Sequence, residues 1–551
     1  QLDIFTAPSM QLGSRASKKY SDPNAWHNQF YSLVTTKIDE EIFKPLFPEG
    51  KKSGRPNASI RILVAMSVLK EGFGCSDEDL FEKCEFDLLT RKALGMELLT
   101  DVTPSIDTYY LFRRRICEYQ ERTGIDLMQL CFEQLAGKHV HLLKISGKCV
   151  RMDSKLIGSN IARQSRYELI HTTLVKFLKT CTLPHLSPEQ EERAKEYLKE
   201  DSSKTVYRSD SDTLQSNLAR IGNFIMEMLA VFPATSPAHD LLLRLFEEQY
   251  AVMDGKAVLR DKKEVKADSL QNPNDPDATY RAKNDQKVQG YVTNITETVE
   301  EGKPNIITSV QVETAVFADC HFLQEAVENS ERVTGSTIED LYADGAYQSP
   351  DNREFAKNHN AMQLKTGKMQ GGCRWELIPH DEDGLTIREI ATGNTYEAVK
   401  AVTKQGSRKR WRIPWNNKTG WRYFEDKDIK AYQLRKQIES LPLEEQHKRN
   451  NVEAAMFQYS FHTHNGKTRY RGLLKHRMHA YSRCMWMNLR RMVIFQISTF
   501  QRSIFALFGP IREAFGSFKA ISRQIFTSGA DCYVSLRMTT LVRLDSKYAP
   551  F

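Results

Sequence analysis

The sequence predicts an α/β protein with a helical N-terminal region, a mixed α/β core and two insertions, one helical and one β-rich. Three observations predict it. Apolar residues recur at helical spacing through residues 59–124. β-Branched residues crowd two runs, 292–299 and 306–312, joined by the turn Glu301-Gly302-Lys303-Pro304. A strand-like run carrying Asp153, a short strand ending at Asp344 and a helix carrying Glu453 complete the core order.

Residues 1–140 are read as the helical domain, with Ser59 and Ser76 as helix caps and Gly124 as a helix stop. Ile62, Leu63, Met66 and Leu69 line one face of its first clear helix. Such a domain serves either as a helix-turn-helix DNA reader or as a packing and dimerisation module, and the residues leave both readings open. The core is assigned to 141–162, 271–361 and 440–500. Val150 and Met152 alternate there with Arg151 and Asp153, which places Asp153 near the end of a half-buried strand. The charged, helix-like stretch 163–270 is the helical insertion, and the aromatic stretch 362–439 the β-rich one. The tail 501–551 carries no recognisable chemistry.

Hydrophobic content of 40% and charged content of 27% are those of a globular protein. No run approaches the roughly 18 apolar residues of a membrane span. The first residues lack a signal peptide and an initiator Met, so the natural start is expected elsewhere. Ten scattered cysteines form no CxxC pair, which predicts reduced thiols and a cytoplasmic protein.

The charge is local. Residues 446–500 hold ten Lys or Arg against one acid, Glu453, whereas the whole chain is only +8. That is the footprint of a polyanion. Leu474, Met478, Tyr481, Met485, Leu489 and Met492 form an apolar helical stripe, and Lys475, His479, Arg483, Trp486 and Arg490 are expected on the opposite, outward side. The carboxylates of Asp153 and Asp344 can converge at one sheet edge, with Glu453 supplied by a packed helix. Like charges brought together need a counter-charge, and Mg²⁺, a hard oxygen-seeking cation, provides it.

The segments "VRMDSKLIGSN", "DPDATYRAKNDQKVQGY", "NIITSVQVE", "LYADGAYQSPDN" and "KRNNVEAAMFQYS", followed by "GKTRYRGLLKHRMHAYSRCMWMNLRRM", resemble bacterial insertion-sequence transposases of the DDE type. "GRPNASIRILVAMSVLKEG" and "TPSIDTYYLFRRR" are similar to the helical domain that precedes the catalytic domain there. The resemblance implies a ribonuclease H-like core in which Asp153, Asp344 and Glu453 bind two Mg²⁺ ions, with Mn²⁺ as a substitute. It implies a homodimer on double-stranded DNA that cleaves transposon ends at terminal inverted repeats and joins them to target DNA. Arg449, Arg469, Arg471, Lys475, Arg483 and Arg490 are the expected DNA contacts. The family's catalytic helix often carries a Tyr three residues before the Arg and a Lys seven after the Glu; Gln446 and Ser460 stand there instead. The alternatives are a metal-dependent nuclease without strand transfer and a non-catalytic DNA-binding derivative.

Within the β-rich insertion, Trp411 is expected in a small core. Trp415 and Trp421 flank the polar turn "NNKTG" amid cations, where an exposed ring can stack on an unpaired base.

Overall fold

The computed structural model describes residues 7–47, 58–180, 186–232, 236–283, 286–366, 373–380, 384–401, 410–415, 420–440 and 442–525, with side chains described through Thr499. The N-terminal region is helical, as the spacing predicts. Its main helices are α1 (Ile60–Phe73), α2 (Asp77–Phe86), α3 (Ile106–Thr123) and α4 (Leu127–Leu143). Ser76 caps α2 in a reciprocal capping box with Asp79. Ser59 precedes α1, but the acceptor at that end is Glu40, whose Oε1 takes the Arg61 N–H and the Ser59 hydroxyl, both at 3.0 Å. Gly124 ends α3 with φ +75°, a conformation that costs a residue without Cβ little.

The core is a mixed sheet. Its strands are β1 (Cys149–Gly158), β2 (Gln286–Thr298), β3 (Ile307–Thr314), β4 (Asp340–Ala343) and β5 (Gln363–Thr366), in the spatial order β3-β2-β1-β4-β5. β2 is antiparallel to both of its neighbours, whereas β1, β4 and β5 run parallel. The short strand Thr279–Lys283 lies on the same edge of β2 as β3. The predicted hairpin is therefore β2–β3.

Asp153 is not at the end of its strand, and this corrects the sequence reading. The ladder with β2 continues from Asp153↔Ile295 to Gly158↔Gly290, because Leu156 and Ile157 pair on with Val292 and Tyr291. Pairing with β4 stops at Arg151↔Tyr342. Asp153 thus sits in mid-strand toward β2, but where β1 and β4 part company.

One sheet face, with Val150, Met152, Leu341 and Ala343, packs on Phe322, Leu323, Ala326 and Val327; the last three belong to α5 (Leu323–Thr334). The other face meets α6 (Leu443–Ser460), α7 (Leu473–Ile525) and the N-terminal helices. α7 runs between sheet and bundle, buried on several sides: Met478, Tyr481, Met485 and Met492 are interior, and so are His476, His479, Ser482, Trp486 and Asn488. A helix apolar or buried all round belongs to a core. Its expected outward basic side is thus largely internal.

Among its described residues the first insertion has five helices between Arg166 and Gln249 around their own core, followed by a hairpin, Tyr250–Met253 with Lys256–Leu259, that the sequence reading missed. The second is a five-stranded antiparallel sheet over 375–425, in which Trp411 is a core residue as expected. Among the described residues no helix is long and apolar enough to cross a membrane.

Near the end of the β1–β2 ladder, Gly290 leaves no room for a side chain. A Cβ on Gly290 would stand 2.3 Å from the Ile157 carbonyl oxygen and 2.9 Å from Gly158 Cα, both backbone atoms that cannot yield without moving the ladder. Gly290→Ala is expected to cost about 2–3 kcal/mol, read as a lower melting temperature. An unchanged melt would show that β1 and β2 are not held this closely.

Candidate active site and nucleic-acid interface

Successive strand residues alternate faces, so Arg151, Asp153 and Lys155 share the face under α6. The β1–β4 register, carried two residues past Arg151↔Tyr342, sets Asp153 opposite Asp344, the residue that follows β4. The two are near enough for the Asp344 charge to bear on the Asp153 carboxyl. Asp344 caps the short turn Gly345–Tyr347, its Oδ1 accepting the Gly345 N–H at 2.7 Å. Asp153 Oδ1 accepts the Ser154 N–H at 2.8 Å. Burial drives the Asp153 carboxyl up to about 6; the Ser154 hydrogen bond opposes this, and the neighbouring Asp344 charge adds to it.

Two contacts locate α6 across this face. Arg151 Nη1 donates to the Lys448 carbonyl at 2.8 Å, and Lys155 Nζ donates to Ser460 Oγ at 2.7 Å. Asp153 lies midway between Arg151 and Lys155, and Glu453 lies between Lys448 and Ser460. Val452, Ala455, Met456 and Tyr459 are the buried stripe that seats the helix, and Glu453 is exposed. The structure therefore brings the two aspartates together and sets Glu453 on the covering helix. Among the described residues no three His, Cys, Asp or Glu are gathered closely enough to hold a metal ion. The Arg449 side chain lies outside the described residues.

Several groups here went unread in the sequence. Asp319 is buried, with Oδ1 at 3.0 Å from Arg281 Nη1 and Oδ2 at 3.3 Å from Lys283 Nζ. Its turn packs on the one that follows Asp344. Lys155 forms no salt bridge among the described residues, whereas Arg151 is tied to buried Glu297 at 2.5 Å. The signal for Lys155 was its spacing, two residues after Asp153 on the same strand.

The predicted DNA contacts divide. Arg469, Arg471 and Lys475 line an open groove of about 1040 Å³ whose other wall includes Lys70, Arg113 and Arg114. The Arg469 guanidinium donates to the Gly74 carbonyl at 2.6 Å and Arg471 to the Asn160 carbonyl at 2.7 Å. Neither they nor Lys475 has a salt bridge among the described residues. Asp77 and Asp107 are the acids of the groove, and Asp77 is engaged by Lys70.

Arg483 does not belong to this surface. Its side chain is 4% exposed, and its guanidinium donates to the carbonyls of Glu71 (2.8 Å), Gly72 (3.2 Å) and Gln458 (2.6 Å). Burial pushes it down to about 10. It ties α1, α6 and α7 together. Arg490 is half-buried at the edge of a separate recess. Trp421 is 48% exposed and carries Arg412 over its ring at 4.2 Å, beside Arg410 over Tyr423 at 4.1 Å. The Trp415 side chain lies outside the described residues.

Residues 19–115 match the family model described as Transposase domain (DUF772). The match lies within the helical N-terminal region. No curated protein and no solved structure matches the chain. The transposase domain supplies Lys70, Asp77, Asp107, Arg113 and Arg114 to the basic groove, and the segment leading into α7 supplies Arg469, Arg471 and Lys475. The groove is therefore a seam between the matched domain and the part of the chain that follows β5.

Proposed function

We propose that the chain is a DDE transposase whose ribonuclease H-like core cuts transposon ends and joins them to target DNA. The observation that carries this is the opposition of Asp153 and Asp344 on adjacent strands beneath the helix bearing Glu453, in a chain with a transposase domain. The mixed sheet, with an antiparallel hairpin on one side of β1 and two parallel strands on the other, supports the core assignment.

The chemistry of the three donors suits Mg²⁺ or Mn²⁺, although the three carboxylates are not gathered around one point among the described residues. Two neighbouring carboxylates, one of them pushed up by burial and by the other's charge, favour a divalent cation, and all the donors are hard oxygens. Asp153 and Asp344 would hold the metal, and Glu453 would close the set from α6. Divalent ions supply charge stabilisation at both the entering and leaving oxygens of an in-line phosphodiester displacement. Lys155 adds a fixed cation on the same sheet face to orient the phosphate. Lys155→Ala is expected to slow cleavage by about tenfold or more, the worth of one charged hydrogen bond, with partial recovery in Lys155→Arg. An unaltered rate would remove Lys155 from the site.

The groove binds the duplex end. Removing one phosphate-binding cation should lower the dependence of log affinity on log salt by about 0.9. Arg469→Ala, Arg471→Ala and Lys475→Ala are each expected to show that decrease, with weaker binding to every sequence. An unchanged slope in the triple variant would place DNA elsewhere. Two ends cut and joined together imply a homodimer on DNA.

The reaction itself is tested with labelled inverted-repeat DNA, supercoiled target and Mg²⁺. Joined, labelled plasmid is the expected product. Cut ends with no joined product would make the protein a nuclease, and no cutting with retained binding would make it a non-catalytic derivative.

A further inference from the structure

On α6, each residue turns the helix by about 100°, so Phe457 follows Glu453 by about 40° and Phe461 by about 80°. Both rings are open to solvent, 63% and 61% exposed, and they meet edge to face with centroids 6.0 Å apart. Large apolar rings left bare as a pair mark an interaction site. They border a recess of about 290 Å³ between α6, α7 and the end of α1. Arg490 and the buried Arg483 line it, and among the described residues its lining holds no Asp or Glu. Arg490 Nε is buried with no hydrogen-bond partner among the described residues. The floor is Trp486, which packs so closely on Gly72 that a Cβ there would stand 2.3 Å from the indole.

We infer that this recess holds an unpaired nucleotide of the DNA end, its base stacked on the face of one ring of the Phe457–Phe461 pair and against the edge of the other, and its phosphate on Arg490. Aromatic rings beside cations, with no acid among them, suit single-stranded nucleic acid. The site lies on the other side of Glu453 from β1. A strand leaving the aspartate pair would cross the exposed side of α6, over Phe457, to reach it. This rests on the transposase reading and adds a subsite distinct from Trp421 and from the basic groove.

The test compares two probes in Ca²⁺: a blunt inverted-repeat duplex, and the same duplex with a short unpaired tail carrying 2-aminopurine. The parent protein is expected to bind the tailed probe about tenfold more tightly, the worth of one stacked base, with a change in 2-aminopurine emission. A Phe457→Ala, Phe461→Ala double variant should lose both the preference and the emission change while keeping its affinity for the blunt duplex. Phe457→Trp should retain them. Because both rings are exposed, the substitutions should leave the melting temperature unaltered. Equal affinity for the two probes in the parent, or an undiminished preference in the double variant, would overturn the subsite and leave the transposase reading intact. Failure of the parent to bind either probe would instead overturn that reading. If the double variant alters the mass of the DNA-free protein in solution, the rings are a contact between copies, and the subsite is wrong.

Discussion

Asp153→Asn and Asp344→Asn are each expected to cut Mg²⁺-dependent DNA cleavage by more than about 100-fold, since even residues that only support metal ligands cost 10- to 100-fold. Affinity for duplex DNA should persist, because the groove formed by Arg469, Arg471 and Lys475 with the transposase domain includes neither aspartate. The substitutions are near-isosteric and remove a negative charge from a site where Asp153 and Asp344 raise each other's energy. The apo-protein is therefore expected to melt no lower than the parent. That combination of abolished cleavage, kept binding and kept stability separates a metal ligand from a packing residue. Glu453→Gln should behave in the same way if α6 closes the set. Cleavage at the parental rate in any one variant would exclude that residue.

Arg151→Met is expected to lower stability by about 1–3 kcal/mol, the cost of leaving one buried carboxylate oxygen of Glu297 without its partner. Glu297 is fully buried, with Arg151 at 2.5 Å on one carboxylate oxygen and Arg491 at 2.7 Å on the other. Arg151 also donates to the Lys448 carbonyl, so one guanidinium joins β1, β2 and the helix carrying Glu453. Removing it strands half of Glu297 and frees α6 at the level of the aspartates. Chemical denaturation would show the loss, and cleavage should fall as well. A triple variant, Arg151→Met with Glu297→Met and Arg491→Met, should recover stability, since replacing a buried ion triad by apolar groups is often neutral or stabilising. It should not recover full activity, because the tether to Lys448 is gone. A single variant as stable as the parent would contradict the buried pairing.

The local parts of the structure were legible. Capping residues, an αL glycine and apolar spacing mark α1 to α3, and β-branched runs around a turn mark β2 and β3. Asp344 was readable from a strand running into an Asp-Gly turn. The hairpin Tyr250–Leu259 was not, because strands of four residues carry too little alternation. Asp153 was placed near a strand end because the sequence shows neither partner of β1, and it is pairing with β2, not composition, that extends the strand to Gly158.

The charge on α7 misled for a related reason. A run of cations without acids at i,i+4 reads as a surface awaiting phosphate. Yet Arg483 finds its acceptors at Glu71, Gly72 and Gln458, Arg477 finds Glu313, Arg491 finds Glu297 and His479 finds Glu71. Nearly all of these partners are distant in sequence, and these side chains are spent on assembling the core. Strand order, not local charge, brings the candidate aspartate pair together. Lys155 and the pair Phe457–Phe461 were hidden because their roles depend on which helix crosses which strand.

Whether Asp153, Asp344 and Glu453 enclose a divalent ion is tested most directly by iron-mediated cleavage of the protein itself. Fe²⁺ loaded in place of Mg²⁺, with ascorbate and peroxide, generates radicals that cut the polypeptide beside the metal, a readout independent of DNA cleavage. Cuts are expected near residues 153, 344 and 453, suppressed by excess Mg²⁺ and absent from the Asp153→Asn, Asp344→Asn double variant. Cuts elsewhere, or cuts at these positions that survive in the double variant, would contradict the assignment.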